Sequence, residues 1–290
     1  MNYIKTYSTS TLKLLAPLVL WAMVGTVSTM GDVIIGFETS SGYGTNTTIV
    51  GVDDSTITGT AAWSNTFNTT ALNGNLQTST ANPQSGSQAL RLTNTATGAL
   101  GASLQLGSAV DVTQPFNIHF GMALSGISAN TGNQAQIYFG ANSSQVGTLP
   151  YWFGLIYSDG KLALALNSSN NSTAAFYIEF GNYTEYANLG DYITFDFTIN
   201  PSTSKFTNVL VSGELKTSNL TSSVQASASG GTIPHLTSTP DTYIVFASGG
   251  NDTITADFDN LQISTIPEPS MIALVSFGFL GIYCLRKRQS

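Results

Sequence analysis

Residues 191–200 read Asp-Tyr-Ile-Thr-Phe-Asp-Phe-Thr-Ile-Asn. In an extended chain Ile193, Phe195, Phe197 and Ile199 fall on one side, and Thr194, Asp196 and Thr198 on the other. A strict period of two over this length reads as one half-buried strand. The same alternation recurs in Ile118, Phe120, Met122 and Leu124, and in Leu162, Leu164 and Leu166. Asp159-Gly160 stands between an apolar run and the leucine strand, which is the sequence of a two-residue hairpin turn. Asn200-Pro201-Ser202-Thr203-Ser204 reads as another turn, leading into Phe206–Val211.

Further strands are expected at Val33–Glu38, Gln88–Thr93, Gly101–Leu106, Gln134–Phe139, Ala174–Phe180, Tyr243–Ala247 and Thr253–Ser264. About a dozen short strands with polar turns predict an all-β fold of two packed antiparallel sheets. No amphipathic helix of useful length and no fixed-period repeat is visible in the body. The stretches 65–87 and 217–239 are poor in apolar residues and read as long loops. In the closing strand, Ile254, Ala256 and Phe258 share a face that Leu261 and Ile263 then take over, so a bulge is expected near Asp259. The opening residues 34–38 are expected to pair with this closing strand.

The two ends differ from the body. Lys5 and Lys13 precede an apolar run, Leu14–Val27, and small residues around Ser28–Gly31. That is the form of a secretory signal peptide over residues 1–31, with cleavage between Val27 and Asp32. At the other end, residues 266–290 hold Pro267-Glu268-Pro269, an apolar span Met271–Leu285 and Arg286-Lys287-Arg288. Fifteen residues of helix span about 22 Å, marginal against a bilayer core of about 30 Å. The basic end favours a cytoplasmic C-terminus, with everything upstream outside. These three parts in this order resemble the PEP-CTERM sorting signal of Gram-negative bacteria. The resemblance implies recognition by a membrane-embedded exosortase, transient inner-membrane anchoring and association with exopolysaccharide and biofilm. A plain C-terminal anchor is the alternative.

The only cysteine, Cys284, lies in the apolar tail, so residues 32–265 are expected to fold without disulfides or a Cys-based site. About 235 residues suffice for one such β-domain. That stretch with its flanking Glu268 carries sixteen acids against four cations (Arg91, Lys161, Lys205 and Lys216), a net charge of −12. Nucleic-acid binding, which needs clustered Lys and Arg, is excluded. Solubility, divalent cations and neutral glycans are compatible.

Ile34-Ile35-Gly36-Phe37-Glu38, Gln84-Ser85-Gly86-Ser87-Gln88-Ala89-Leu90-Arg91-Leu92 and Ala256-Asp257-Phe258-Asp259-Asn260-Leu261-Gln262-Ile263 together resemble jelly-roll domains of the concanavalin-like and carbohydrate-binding-module type. The resemblance implies a jelly-roll β-sandwich in which these three strands lie side by side. It also implies a structural Ca2+ ion held by Glu38 and Asp259, with backbone oxygens near Ser85–Gln88 completing the shell. Two solvated carboxylates are the alternative.

Glycan binding needs exposed aromatic faces beside polar groups. Trp63, Tyr151, Trp152, Tyr183 and Tyr186 are the aromatic candidates, each weighed against core packing. Catalysis finds little support, and no catalytic residue is assigned. Glycoside hydrolysis needs two carboxylates about 5 to 9.5 Å apart. Glu179 and Glu185 flank an expected Gly181-Asn182 turn, and a closing strand accounts for Asp257 and Asp259. His119 is expected to face solvent and His235 to lie in a loop, with neither a metal triad nor a serine triad. The sequence therefore reads as an exported, non-catalytic surface or extracellular-matrix protein, associated with extracellular polysaccharide. A lectin-like domain of defined specificity is the first rival, and a polysaccharide-active enzyme the second.

Overall fold

The strand that opens the sequence reading lies deep in the first of two sheets. In a computed structural model of the chain, Tyr192–Asn200 is extended throughout, and its odd-numbered core residues from Ile193 to Ile199 are fully buried. The structure describes residues 32–57, 62–65, 74–94, 98–126, 133–141, 152–158, 160–167, 174–227, 230–233, 236, 242–250 and 254–266. Gly31–Ile266 forms one compact unit, and the two terminal stretches fall outside it.

Fifteen strands are described. In chain order they are β1 (Val33–Ile35), β2 (Ser64–Asn65), β3 (Gly74–Ser79), β4 (Ala89–Asn94), β5 (Gly98–Gln105), β6 (Phe116–Leu124), β7 (Asn133–Ala141) and β8 (Phe153–Ser158). Then follow β9 (Lys161–Asn167), β10 (Ala174–Asn182), β11 (Tyr192–Asn200), β12 (Lys205–Ser212), β13 (Thr217–Asn219), β14 (Thr242–Gly250) and β15 (Ile254–Thr265). The first sheet has the order β13-β12-β11-β6-β15-β4-β3, with β1 also paired to β15. The second has the order β10-β9-β8-β7-β14-β5-β2. All their pairings are antiparallel, so the expected two-sheet sandwich is the observed architecture.

The core between the sheets is filled by two aromatic groups. Phe120, Phe195, Phe197, Phe206, Phe153 and Phe139 form one chain of ring contacts, with Phe120 stacked on Phe195 at 5.1 Å and Phe139 on Phe153 at 5.1 Å. Phe37, Tyr43, Trp63, Phe246 and Phe258 form the other. Offset and edge contacts of this kind add to the stability that area burial alone gives.

Local expectations meet the structure in detail. Ser158 pairs with Lys161 across the Asp159-Gly160 position, and Gly160 has φ +78°, which suits a glycine. The register of β15 against β6 shifts between Asp259 and Gln262, and Asn260 sits at φ +53°, so the bulge lies where the change of face put it. Val33 to Ile35 pair with Ile263 to Leu261, joining the two ends of the body.

Two stretches differ from expectation. Residues 65–87 contain β3, whose Leu76, Thr78 and Ser79 are buried, the Thr78 hydroxyl donating to the Gly44 carbonyl; a short edge strand needs no run of apolar residues. Residues 217–239 contain β13 and the helix α2 (Thr221–Ser227), which buries Val224. The Asn219 side chain accepts from the Thr221 N–H in an Asx turn that leads into that helix. The turn expected at Gly181-Asn182 falls at the end of β10, and the chain continues from it into one helical turn, α1 (Tyr183–Tyr186). No helix among the described residues is long and apolar enough to cross a membrane. The expected signal and sorting helices lie outside those residues.

Candidate functional site

The connection from β3 to β4, residues 80–88, is laid as a strap across the outer face of the first sheet. Three carboxylates pin it. Asp257 accepts from the Asn82 amide at 3.4 Å. Asp259 Oδ2 accepts the Gln84 and Ser85 N–H groups at 2.9 and 3.0 Å. Glu38 accepts the Ser87 N–H at 2.8 Å, the Ser87 hydroxyl at 2.6 Å and the Gln88 N–H at 3.1 Å. Two glycines make room for it. A Cβ on Gly121 would stand 1.9 Å from Gln84 Oε1, and one on Gly86, at φ +61°, would stand 2.1 Å from Glu38 Oε1.

Beneath the strap lies an ion pair whose carboxylate is buried and whose guanidinium is partly exposed. Arg91 donates from Nε and Nη2 to the two oxygens of Asp257 at 2.7 and 2.8 Å, and Asp257 is fully buried. The two residues face each other directly in the β4–β15 register. Tyr192 donates its hydroxyl to the Asn82 carbonyl at 2.6 Å, while the Asn82 amide reaches the Gly190 carbonyl at 3.0 Å. Burial, with Asp257 and Asp259 nearby, pushes the Tyr192 phenol upward. Burial also raises the Tyr183 phenol to about 12.

Glu38 and Asp259 flank one loop, and that loop turns N–H groups toward them rather than the backbone oxygens expected near Ser85–Gln88. Burial raises the Glu38 carboxyl, yet the Ser87 and Gln88 hydrogen bonds outweigh it and leave a lowered pKa. For Asp259, burial dominates over the N–H bonds and, with Glu38 adding repulsion, the pKa is raised. Spare oxygen capacity remains on Glu38 Oε2, Asp259 Oδ1 and Gln88 Oε1, the last buried without a partner. Carboxylate and amide oxygens are the chemistry calcium takes. Among the described residues no group of three or more His, Cys, Asp or Glu side chains is placed to hold a metal ion.

Four of the five aromatic candidates are corrected by the structure. Trp63 is 1 % exposed, packs between Phe37 and Phe246, and donates Nε1–H to the Tyr43 hydroxyl at 2.8 Å. Trp152 is 1 % exposed. Tyr183 and Tyr186 are fully buried, because the α1 turn folds both rings inward. None of the four offers a face to a sugar. Tyr151 lies outside the described residues, as do His235 and the sorting residues Pro267, Glu268, Pro269, Arg286, Lys287 and Arg288. The carboxylates considered for catalysis are separately engaged: Glu179 with Lys161 at 3.0 Å, and Glu185 with Lys216 at 2.9 Å and the Asn182 N–H at 3.0 Å.

The outer face of the first sheet also carries polar rows. Gln262, His119 and Asp196 are cross-strand neighbours, and so are Asn117, Thr198 and Asn208. Asp196 Oδ1 accepts from Asn117 and Asn208, both at 2.9 Å, and Oδ2 faces His119 Nδ1 at 3.4 Å. The His119 side chain is 36 % exposed, on the solvent side as its strand position required.

At the far end of β15 the body closes with no slack. Thr265 pairs with Phe116, and the Ile266 N–H donates to the Pro115 carbonyl at 2.7 Å. The next residues are Pro267-Glu268-Pro269. Residues 265–289 are a PEP-CTERM protein-sorting motif. The PEP-CTERM match covers that segment alone and leaves the body unassigned. A comparison with curated proteins gave no match. Among solved structures, the chain is similar to the binding domain of botulinum neurotoxin DC in its complex with rat synaptotagmin II, at 14 % identity and TM-score 0.41, over 70 % of this chain and 45 % of that one. It thus spans less than half of that chain. Lectin II from Ulex europaeus matches at 12 % identity and TM-score 0.41, over 71 % and 98 %. A family 7 alginate lyase, A1-II′, matches at 12 % identity and TM-score 0.38, over 69 % and 85 %. A toxin domain, a lectin and a lyase share this likeness, which says nothing of what this chain binds.

Proposed function

We propose that this chain is an exported, non-catalytic protein of a Gram-negative cell envelope, sorted by an exosortase and working at the surface or in the extracellular matrix with exopolysaccharide. The observation that carries the reading is the PEP-CTERM motif following directly on a folded acidic sandwich. Secretion machinery delivers the body outside, and the C-terminal segment holds it at the inner membrane until processing. The commitment of Glu38, Asp257, Asp259, Glu179 and Glu185 to structural partners supports a non-catalytic role. Cell fractionation with an antibody to the body tests it. Recovery from envelope and medium, dependent on the motif, is the expected result; retention in the cytosol would sink the idea.

A lectin-like role is the second reading, and the polar rows favour it. Oriented amides, a carboxylate and hydroxyls on a half-exposed sheet face are the groups that take sugar hydroxyls. Co-sedimentation with the exopolysaccharide of the producing cell, compared between the native protein and Asp196→Ala, decides between the two readings. A loss of at least several-fold in the variant establishes a site on this face; equal binding removes it.

A structural Ca2+ ion on Glu38, Asp259 and Gln88 is proposed on the spare oxygens described above. Melting in calcium and in EGTA measures it: a raised melting temperature with calcium supports the ion, and coincident curves remove it.

A further inference from the structure

One buried carboxylate has no part in the strap. Asp54 is 1 % exposed. Its Oδ1 closes an Asx turn, accepting the Thr56 N–H at 2.9 Å and the Thr56 hydroxyl at 2.5 Å. Asp111 makes the same turn with Thr113, at the same two distances, but at a half-exposed position open to solvent. Asp54 Oδ2, by contrast, is buried and has no hydrogen-bond partner. An ionised carboxylate is costly to bury unless charge and hydrogen bonds compensate it. Among the described residues Asp54 enters no ion pair: Arg91, His119, Lys161 and Lys216 face Asp257, Asp196, Glu179 and Glu185. Lys205 is exposed at the start of β12.

Two loops bring further oxygens to this carboxylate. Residues 38–43 follow β1, and residues 51–57 precede β2. The Ser55 N–H donates to the Ser41 carbonyl at 3.1 Å, and the Trp63 N–H to the Val52 carbonyl at 2.9 Å. Gly42, at φ +98°, lets the loops meet: a Cβ there would stand 3.2 Å from the Asp53 carbonyl oxygen. Tyr43 is buried at this contact, and its hydroxyl oxygen accepts from Trp63 Nε1 at 2.8 Å. Burial pushes the Tyr43 phenol upward, and Asp54 and then Asp53 push it further, so both carboxylates lie close to that hydroxyl. Two carboxylates with neutral hydroxyl and carbonyl oxygens are the donors that a hard divalent cation takes.

We propose that Asp54 and Asp53, with the Tyr43 hydroxyl and the Asp53 carbonyl, hold a divalent cation of the calcium class at a site separate from the strap. Asp54 Oδ2 supplies the buried charge, Asp53 a second charge from the exposed side, and water the remaining oxygens. Glu38 takes no part, because its carboxylate is committed to Ser87 and Gln88. The ion ties residues 38–43 to residues 51–57, so its binding free energy adds to the stability of that corner. The site depends neither on the sorting reading nor on an ion at Asp259.

Terbium is the probe, since it takes calcium's oxygen donors and emits when an excited aromatic ring lies close. Trp63 and Tyr43 supply that ring at the site. The full chain in detergent, stripped with EDTA, is titrated with terbium chloride under tryptophan excitation. Saturable emission that calcium displaces is expected. Asp54→Asn keeps the side-chain volume and the oxygen of the Asx turn. It is expected to weaken terbium binding at least about ten-fold, a loss that removing even an outer-shell partner commonly causes. Asp53→Asn is expected to weaken binding as well, and Glu38→Gln to leave it unchanged. Near-ultraviolet circular dichroism checks that each variant is folded. If Asp54→Asn does not fold, the exposed Asp53→Asn decides, and unchanged affinity there overturns the proposal. Absence of emission, or equal binding by folded Asp54→Asn, also overturns it. Binding lost in Glu38→Gln but kept in Asp54→Asn assigns the ion to the strap and overturns this site.

Discussion

At the scale of single residues, the Arg91–Asp257 pair is where the sequence is most demanding. A bidentate guanidinium–carboxylate contact compensates a carboxylate that is wholly removed from water. Removing one partner leaves the other charge buried and unpaired. Arg91→Leu is expected to cost about 3–5 kcal/mol, read as a fall in the urea midpoint of the body. The pair was not legible in the sequence, because its members are 166 positions apart and only the β4–β15 register brings them together. One signal did exist: Arg91 is one of four cations in a long charge-poor stretch, inside a strand, and a cation there requires an acid. The aromatic candidates failed for a related reason. Composition marks Trp63 and Tyr183 as able to stack on a ring, yet exposure depends on distant packing that no local motif encodes. The strap's carboxylates add a pH dependence of opposite signs. Glu38 has a lowered pKa, so its contribution is present above the ordinary value of 4.5 and is lost as pH falls through the lower folded value. Asp259 has a raised pKa, so its contribution is present below 3.8 and is lost as pH rises through the higher folded value. Glu38→Gln is expected to flatten the acid limb of stability below pH 4.5, and Asp259→Asn the opposing limb above pH 3.8. Urea titrations at stepped pH from below 3.8 to above 4.5 separate the two.

At the scale of elements, β11 was legible because its period of two is unbroken over nine residues, and β15 because its face changes once, at a bulge. The helix α2 and the edge strand β3 were not, since among the described residues α2 buries only Val224 and β3 only Leu76, Thr78 and Ser79, and each is held by partners far away. Close approach between elements is the term that sequence patterns miss. Gly213, after β12, lies against the backbone of α1: a Cβ there would stand 2.3 Å from the Tyr186 carbonyl oxygen. Backbone cannot swing aside as a side chain can. Gly213→Ala is therefore expected to destabilise the body by about 1–3 kcal/mol, measured by chemical unfolding, with unchanged β-sheet circular dichroism.

At the scale of the whole molecule, sequence alone indicated the sandwich class, the acidic body and the two end segments, because composition and periodicity are properties of long stretches. It did not indicate how tightly the ends are bound in. A chain of residues 32–266 is expected to fold cooperatively, since all pairings of the two sheets lie within it. A chain ending at Asn260 is expected not to, since it loses the pairing of β1 and the lower half of the β6 ladder. Thermal melts followed by circular dichroism compare them, and a sharp transition in the shorter chain would contradict this account.

The neighbouring positions of Val33 and Ile263 bear on engineering. A polypeptide whose start and finish meet can be sealed into a ring, or reopened at another loop, without disturbing its sheets. Linking Ile266 to Asp32 through a short glycine-rich bridge would give a seamless circle of this β-body. Such a circle would have no frayed ends for exopeptidases, and it could be hosted inside a surface loop of another protein as a self-contained graft.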